Sequence, residues 1–269
     1  MSFKNKEKIL TAISAVLAFL GFLFILPSAY AEGNLQSVLR EVAEKVGAIG
    51  EIKNNLFLNA EERGAKELQA RKDALLKIFD LTLLEDGDLK EKLIGVKNLN
   101  ESEKKLRDNL IASLEENGNA YSEMKNRLED ADSIEKVKQL AIDFKNWRSL
   151  VYNPKVEKII SFTLVSLEKN ILETANQRLE KIKSDLEKLE GAKLIKKEET
   201  AGLLKKSIAS LNRANELNHQ AKLILLKNLN EDEEAPAIKS LVEESLKEIR
   251  ITYKIFIEIG NLVKARIAK

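Results

Sequence analysis

From Leu35 to Leu262 the apolar residues return at intervals of three and four, and alternating strand-like runs are hard to find. That period lines them along one face of an α-helix, not one face of a strand. Breakers are few, with three prolines and eleven glycines in 269 residues. Leu, Lys, Glu, Ala, Asn and Ile carry much of the remainder, and low Pro and Gly among many good helix formers favours long helices. The expected fold is all-α. It is an elongated antiparallel helical bundle with local coiled-coil-like packing, preceded by an N-terminal signal or anchor helix.

The start of the chain has the three parts of an export signal. Lys4, Lys6 and Lys8 outweigh Glu7, Ile9–Leu26 is free of charge, and Pro27 precedes Ala29-Tyr30-Ala31. The small residues Ala29 and Ala31 mark a cut before Glu32. The rival reading keeps residues 9–26 as an uncleaved anchor, because a spanning helix needs roughly 17–25 apolar residues and this run lies near that lower limit. The basic start would then stay inside. Both readings carry the remainder across the cytoplasmic membrane, to a periplasmic, cell-surface or secreted location, or tether it there by its N-terminus.

Charge narrows the partners. Removal of residues 1–31 takes three lysines and one glutamate from the 45 basic and 43 acidic residues, leaving 42 of each. A neutral chain of interspersed signs is not built to hold nucleic acid by bulk charge. It has the pattern of solvated faces on long helices. There is no cysteine, so packing without disulfides must hold an exported fold, and thiolate chemistry is excluded.

Caps and breakers divide the chain. A first amphipathic helix spans about 33–52, through Val38, Val42 and Val46. Asn59 with Glu62 reads as a cap for a second, bearing Leu68, Leu75, Leu76, Phe79 and Leu83. Asp86-Gly87 reads as a turn or break, with Asp88 capping the next helical stretch. Asn100 with Glu103 opens a helix bearing Leu106, Leu110 and Leu114, and Asn117-Gly118-Asn119 is a second candidate break. Asp132 with Glu135 starts the next, whose face is Ile134, Val137, Leu140, Ala141, Phe144, Trp147 and Val151. The clearest boundary is "VYNPKVEK", with a helix ending near Tyr152, Asn153 as cap and Pro154 in the next first turn. These divide the chain into residues 1–31, 32–152 and 153–269, the last two packed as one bundle.

The helix after Pro154 is expected to reach Glu190, with Gly191 ending it, about 54 Å long. Its stripe is Leu167, Ile171, Ala175, Leu179, Ile182, Leu186 and Leu189. Fours give way to a heptad-like pattern, as in a stutter. Another helix covers about 198–228, an acidic connection leads on to Pro236, and the last helix ends among Lys264, Arg266 and Lys269, which suit its dipole.

Candidate chemistry is sparse. His219 is the single histidine, and its neighbours Asn215, Asn218 and Gln220 place it on a polar helix face. Asp86-Gly87-Asp88 and residues 230–234 lack the spacing of a calcium loop. No phosphate loop, dinucleotide glycine pattern or Gly-x-Ser-x-Gly occurs. No catalytic, cofactor-binding or metal residues are assigned. The most distinctive cluster is Phe144, Trp147, Arg148 and Tyr152. It is either a core anchor or an aromatic patch for a glycan or protein, and burial of Trp147 beside Tyr152 separates the two. An Ala-Tyr-Ala signal followed by Lys/Glu/Leu-rich helices resembles exported bacterial helical proteins in type. The expected role is a non-enzymatic structural or protein-interaction protein, acting by partner binding or self-association through helix faces, without nucleic acid, and touching membrane only through residues 9–26 if these are uncleaved. The alternatives are a membrane-active helical protein and a carboxylate-dependent hydrolase.

Overall fold

The computed structural model describes residues 32–55, 57–227 and 235–268. Ala29 and Ala31 lie outside them, as do residues 9–26 and 228–234. Glu32 is the first described residue. The described residues form seven α-helices: α1 (Glu32–Asn54), α2 (Ala60–Gly95), α3 (Glu101–Glu129), α4 (Ile134–Trp147), α5 (Asn153–Gly191), α6 (Lys197–Lys227) and α7 (Ala235–Ile267). A π-helical segment, Arg148–Tyr152, joins α4 to α5. The described residues are all-helical, with helices packed on one another and no strand. The chain forms two compact units, one ending at Leu84 and the other spanning Glu85–Lys269.

In the first unit α1 and the early part of α2 run antiparallel. Glu41 pairs with Lys77, Lys45 with Asp73 and Lys53 with Glu67. Asn59 accepts a bond from the Glu62 amide at 2.9 Å, the cap expected from sequence. Arg63 donates to the carbonyls of Asn55 and Leu58, closing the connection between the helices.

Two expected breaks are absent. α2 runs through Asp86-Gly87 and α3 through Asn117-Gly118-Asn119. A glycine within a helix costs about 1 kcal/mol relative to alanine. Buried Leu81, Leu89 and Leu93 flank the first site, and Leu114, Tyr121 and Met124 the second; their burial outweighs that cost. A Cβ on Gly118 would meet nothing within 4 Å. Gly118→Ala is therefore expected to stabilise the protein by about 0.5–1 kcal/mol, read from urea unfolding midpoints.

The cap of α3 is the reciprocal pair read from sequence. Glu103 N–H donates to Asn100 Oδ1 at 2.9 Å, and Asn100 N–H to Glu103 Oε2 at 2.7 Å. At α4 the cap is Ser133, not Asp132. Its hydroxyl accepts from the Lys136 amide, while Asp132 pairs with the Lys136 ammonium.

The boundary expected at Tyr152–Pro154 is also corrected, because the chain stays helical through it. The Asn153 amide donates to the Arg148 carbonyl, five residues back. This wider turn lets a proline, which lacks the donor and crowds the preceding turn, follow without ending the helix. It also rotates the residues around it. Val151 is exposed and Tyr152 points inward, the reverse of the expected face.

α5 ends at Gly191, as expected, but its left-handed residue is Lys193, with φ 60°. The Leu194 amide donates to the Leu189 carbonyl and that of Lys193 to Glu190, the paired bonds of a Schellman end. A side chain costs roughly 1 kcal/mol in that conformation. Lys193→Gly is expected to raise the unfolding midpoint, with a gain of about 1 kcal/mol.

α5, α6 and α7 pack together in the second unit, antiparallel at each turn-back, so α5 and α7 run parallel. Their inward residues keep a seven-residue repeat. On α5 one row is Val165, Leu172, Leu179 and Leu186, and the other is Glu168, Ala175, Ile182 and Leu189. On α6 Leu204, Leu211, Asn218 and Leu225 form one row, and Thr200, Ser207, Ala214 and Ala221 the other. α7 contributes Val242, Ile249 and Phe256 with Ile238, Ser245, Thr252 and Ile259. No stutter interrupts α5. Leu167 and Ile171 are exposed, and the seam passes through Glu168 instead.

Candidate functional site

Two groups of buried polar side chains stand apart from the apolar layers. The larger gathers at the π segment. Late α2 supplies Glu85 and Asp86, α3 supplies Asn117 and Tyr121, and the π segment supplies Arg148 and Tyr152. Arg148 donates to Glu85 Oε2 at 2.7 Å, and the Tyr152 hydroxyl donates to the same oxygen at 3.2 Å. The Arg148 guanidinium also lies 4.7 Å from the centre of the Tyr152 ring. Trp147 packs on Tyr121 edge-on at 5.2 Å and is stacked between Phe144 and Tyr152 at 5.9 and 5.7 Å.

The second carboxylate is less well served. Asp86 Oδ2 accepts a long bond of 3.4 Å from Asn117, whose own oxygen takes the Lys155 ammonium at 3.2 Å. Asp86 Oδ1 and the Tyr121 hydroxyl are without a hydrogen-bond partner, although each lies close enough to affect the other's ionisation. Burial is the largest influence on Asp86 and pushes its carboxyl up to about 6. Burial, reinforced by these carboxylates, raises both tyrosines, so they stay protonated. The group therefore combines one ion pair, one carboxylic acid that titrates near neutrality, and two hydroxyl donors.

All four residues of the expected aromatic patch meet here, facing inward. Phe144, Arg148 and Tyr152 are buried and Trp147 is half-buried. An exposed Trp147 beside Tyr152, the arrangement that suits a glycan, is not what the fold presents. The neighbours Glu85, Asp86, Asn117 and Tyr121 were missed from sequence because Asp86-Gly87 and Asn117-Gly118 read as breaks.

The smaller group lies in the seam. Glu168 accepts from the Asn218 amide at 2.8 Å, and Ser245 stands beside it while donating to the Ala214 carbonyl. Glu168 Oε1 has no partner, and burial raises its carboxyl above the usual range. Asn218 is buried although its neighbour His219 is exposed. The seven-residue count from Leu204 and Leu211 to Leu225 is the signal that places it inside.

Among the described residues no group of three or more His, Asp or Glu side chains is placed to hold a metal ion. Asp86 turns inward and belongs to the tyrosine cluster. Compared with known protein families, with curated proteins and with solved structures, the chain matches none.

Proposed function

We propose that this chain is an exported, non-enzymatic structural or protein-interaction protein of the cell envelope or exterior. It works as an elongated antiparallel bundle whose helix faces engage a partner. One observation carries the reading. The interior of α5–α7 is given over to packing: apolar layers at both ends, a polar layer at Glu168, Asn218 and Ser245, and Thr200, Ser207 and Thr252 each bonded back to a carbonyl of its own helix. Such a bundle offers other molecules its helix faces, with ridges and grooves suited to another helix.

The alternative of a membrane-active protein needs an apolar segment beyond residues 9–26. Among the described residues no helix is long and apolar enough to cross a membrane.

The test is association. The chain as isolated from its cells would be cross-linked in place and its molar mass measured after purification. The reading expects self-association or a retained envelope partner. A chain that stays monomeric and retains no envelope partner overturns it.

A further inference from the structure

Helices α5, α6 and α7 enclose three outer grooves, and their residues differ sharply. The α5/α6 groove is partly filled from within the chain. Glu103, at the start of α3, takes Lys222 of α6 at 2.6 Å and Lys169 of α5 at 3.5 Å. These lysines flank the seam of each helix, so α3 enters this groove with a carboxylate set against basic rims. Along α6/α7, Leu223 of α6 and Ile251 of α7 are exposed.

The α5/α7 groove is different. Buried Ser245 stands beside buried Glu168 beneath it, and at its surface the Arg178 guanidinium lies 5.1 Å from the Tyr253 ring centre. Around these levels Leu167 (52% exposed), Ile171 (41%), Leu246 (37%) and Ile257 (64%) line the groove, with Leu164 and Tyr253 half-buried. On α5 they come in steps of three and four, Leu164, Leu167 and Ile171, outside the inward seam. On α7 Leu246, Tyr253 and Ile257 follow in steps of seven and four, also outside the inward seam. A helix that already has one packed seam thus carries a second apolar stripe, the pattern of a helix with two neighbours.

The rims identify the neighbour. Arg178, Lys181, Lys239 and Arg250 border the groove against Glu243 and Asp185, and Asp185 is already near Lys188 at 3.7 Å. The excess is basic. A second copy meeting it groove to groove would set Arg178 and Arg250 against like charge.

We propose that the α5/α7 groove is the docking site for an acidic amphipathic helix from another protein. The partner lays a leucine-type stripe on Leu167, Ile171, Leu246 and Ile257 and sets carboxylates against Arg178, Lys181 and Arg250. The inference rests on the interaction role proposed above and gives it a place and a chemistry. α3 supplies the precedent, since Glu103 already binds basic rims in the neighbouring groove. From Leu164 to Arg178 the groove takes about four turns of helix.

The experiment uses the purified full chain and three labelled synthetic helices of about four turns. One has a leucine stripe flanked by glutamates, one the same stripe flanked by lysines, and one the glutamates with serines in the stripe. Fluorescence anisotropy should show saturable binding of the first, and binding at least about tenfold weaker for the other two. Leu246→Glu and Leu167→Glu should each weaken the first by about tenfold or more while the helical circular dichroism stays unchanged, and Leu167→Glu, at the more exposed of the two positions, should also leave the thermal midpoint unchanged. Equal binding of the lysine peptide, no binding of the glutamate peptide, or indifference to both substitutions overturns the proposal. So does a dimer, found by sedimentation equilibrium, that Leu246→Glu dissolves, because the occupant is then a second copy. If the peptides fail while the chain still retains an envelope partner, the groove is wrong and the interaction role stands.

Discussion

Arg148→Met is expected to lower the thermal midpoint by roughly 10 °C. Arg148 and Glu85 form an ion pair whose side chains are each 10% exposed. Removing one partner leaves a buried carboxylate with only the Tyr152 hydroxyl. Losses of this kind run to about 3–5 kcal/mol, and a chain of this size loses about 2–4 °C for each. Adding Glu85→Gln to the same protein should return much of the loss, because no charge is then stranded and the amide oxygen still accepts from Tyr152. Thermal melts of the single and double variants decide it. Equal midpoints for wild type and Arg148→Met would mean that the pair contributes little to the fold.

The second large effect concerns pH. Asp86 is held at about 6 in the folded protein against an ordinary 3.8. Across that window the folded state keeps a proton that the unfolded state has released. Stability therefore falls as pH rises from about 4 through about 6, by up to about 3 kcal/mol at pH 7. Glu168, raised by burial, acts in the same direction. Glu103, lowered by Lys222 against its own burial, acts oppositely, and its contribution is lost only as pH falls below the ordinary carboxylate range. Asp86→Asn should flatten the decline between pH 4.5 and 7 and stabilise the protein by about 2–3 kcal/mol at pH 7 but only about 1 kcal/mol at pH 4.5. Urea unfolding at the two pH values measures both. A wild type whose stability rises steadily with pH over that range contradicts the placement of Asp86.

The all-helical class was legible because periodicity and scarce breakers pointed the same way. Local signals succeeded where one side chain settles the matter, as at Asn59 and in the Asn100–Glu103 capping box. They failed where tertiary burial outweighed local preference. Asp86-Gly87 and Asn117-Gly118 look like turns, yet the leucines and tyrosines around them hold the helices straight through. Pro154 looked like a boundary because a proline breaks a regular α-helix; a π turn that accommodates it leaves no plain mark in sequence. The same turn moved Tyr152 inward and Val151 out, so the aromatic cluster was found while its orientation was not.

Glu168 shows a different kind of miss. Following apolar residues alone leads from Leu167 to Ile171 and suggests a stutter. Following the seven-residue repeat through a glutamate leads to the real seam and turns Leu167 and Ile171 into an outer stripe. The same count on α6 takes Asn218 inside. A buried polar layer of this kind fixes the register of packed helices at some cost in stability, and its polar letters hide the repeat that contains it.

The proposed export, followed by work through the surfaces of a helical bundle, is tested by fractionation of native cells with mass spectrometry of the protein's N-terminus. Recovery is expected outside the cytoplasm, either as a chain starting at Glu32 or, with residues 9–26 retained, at the membrane surface. Recovery of the chain in the cytosol, with Met1 or residues 9–26 still attached, would contradict it.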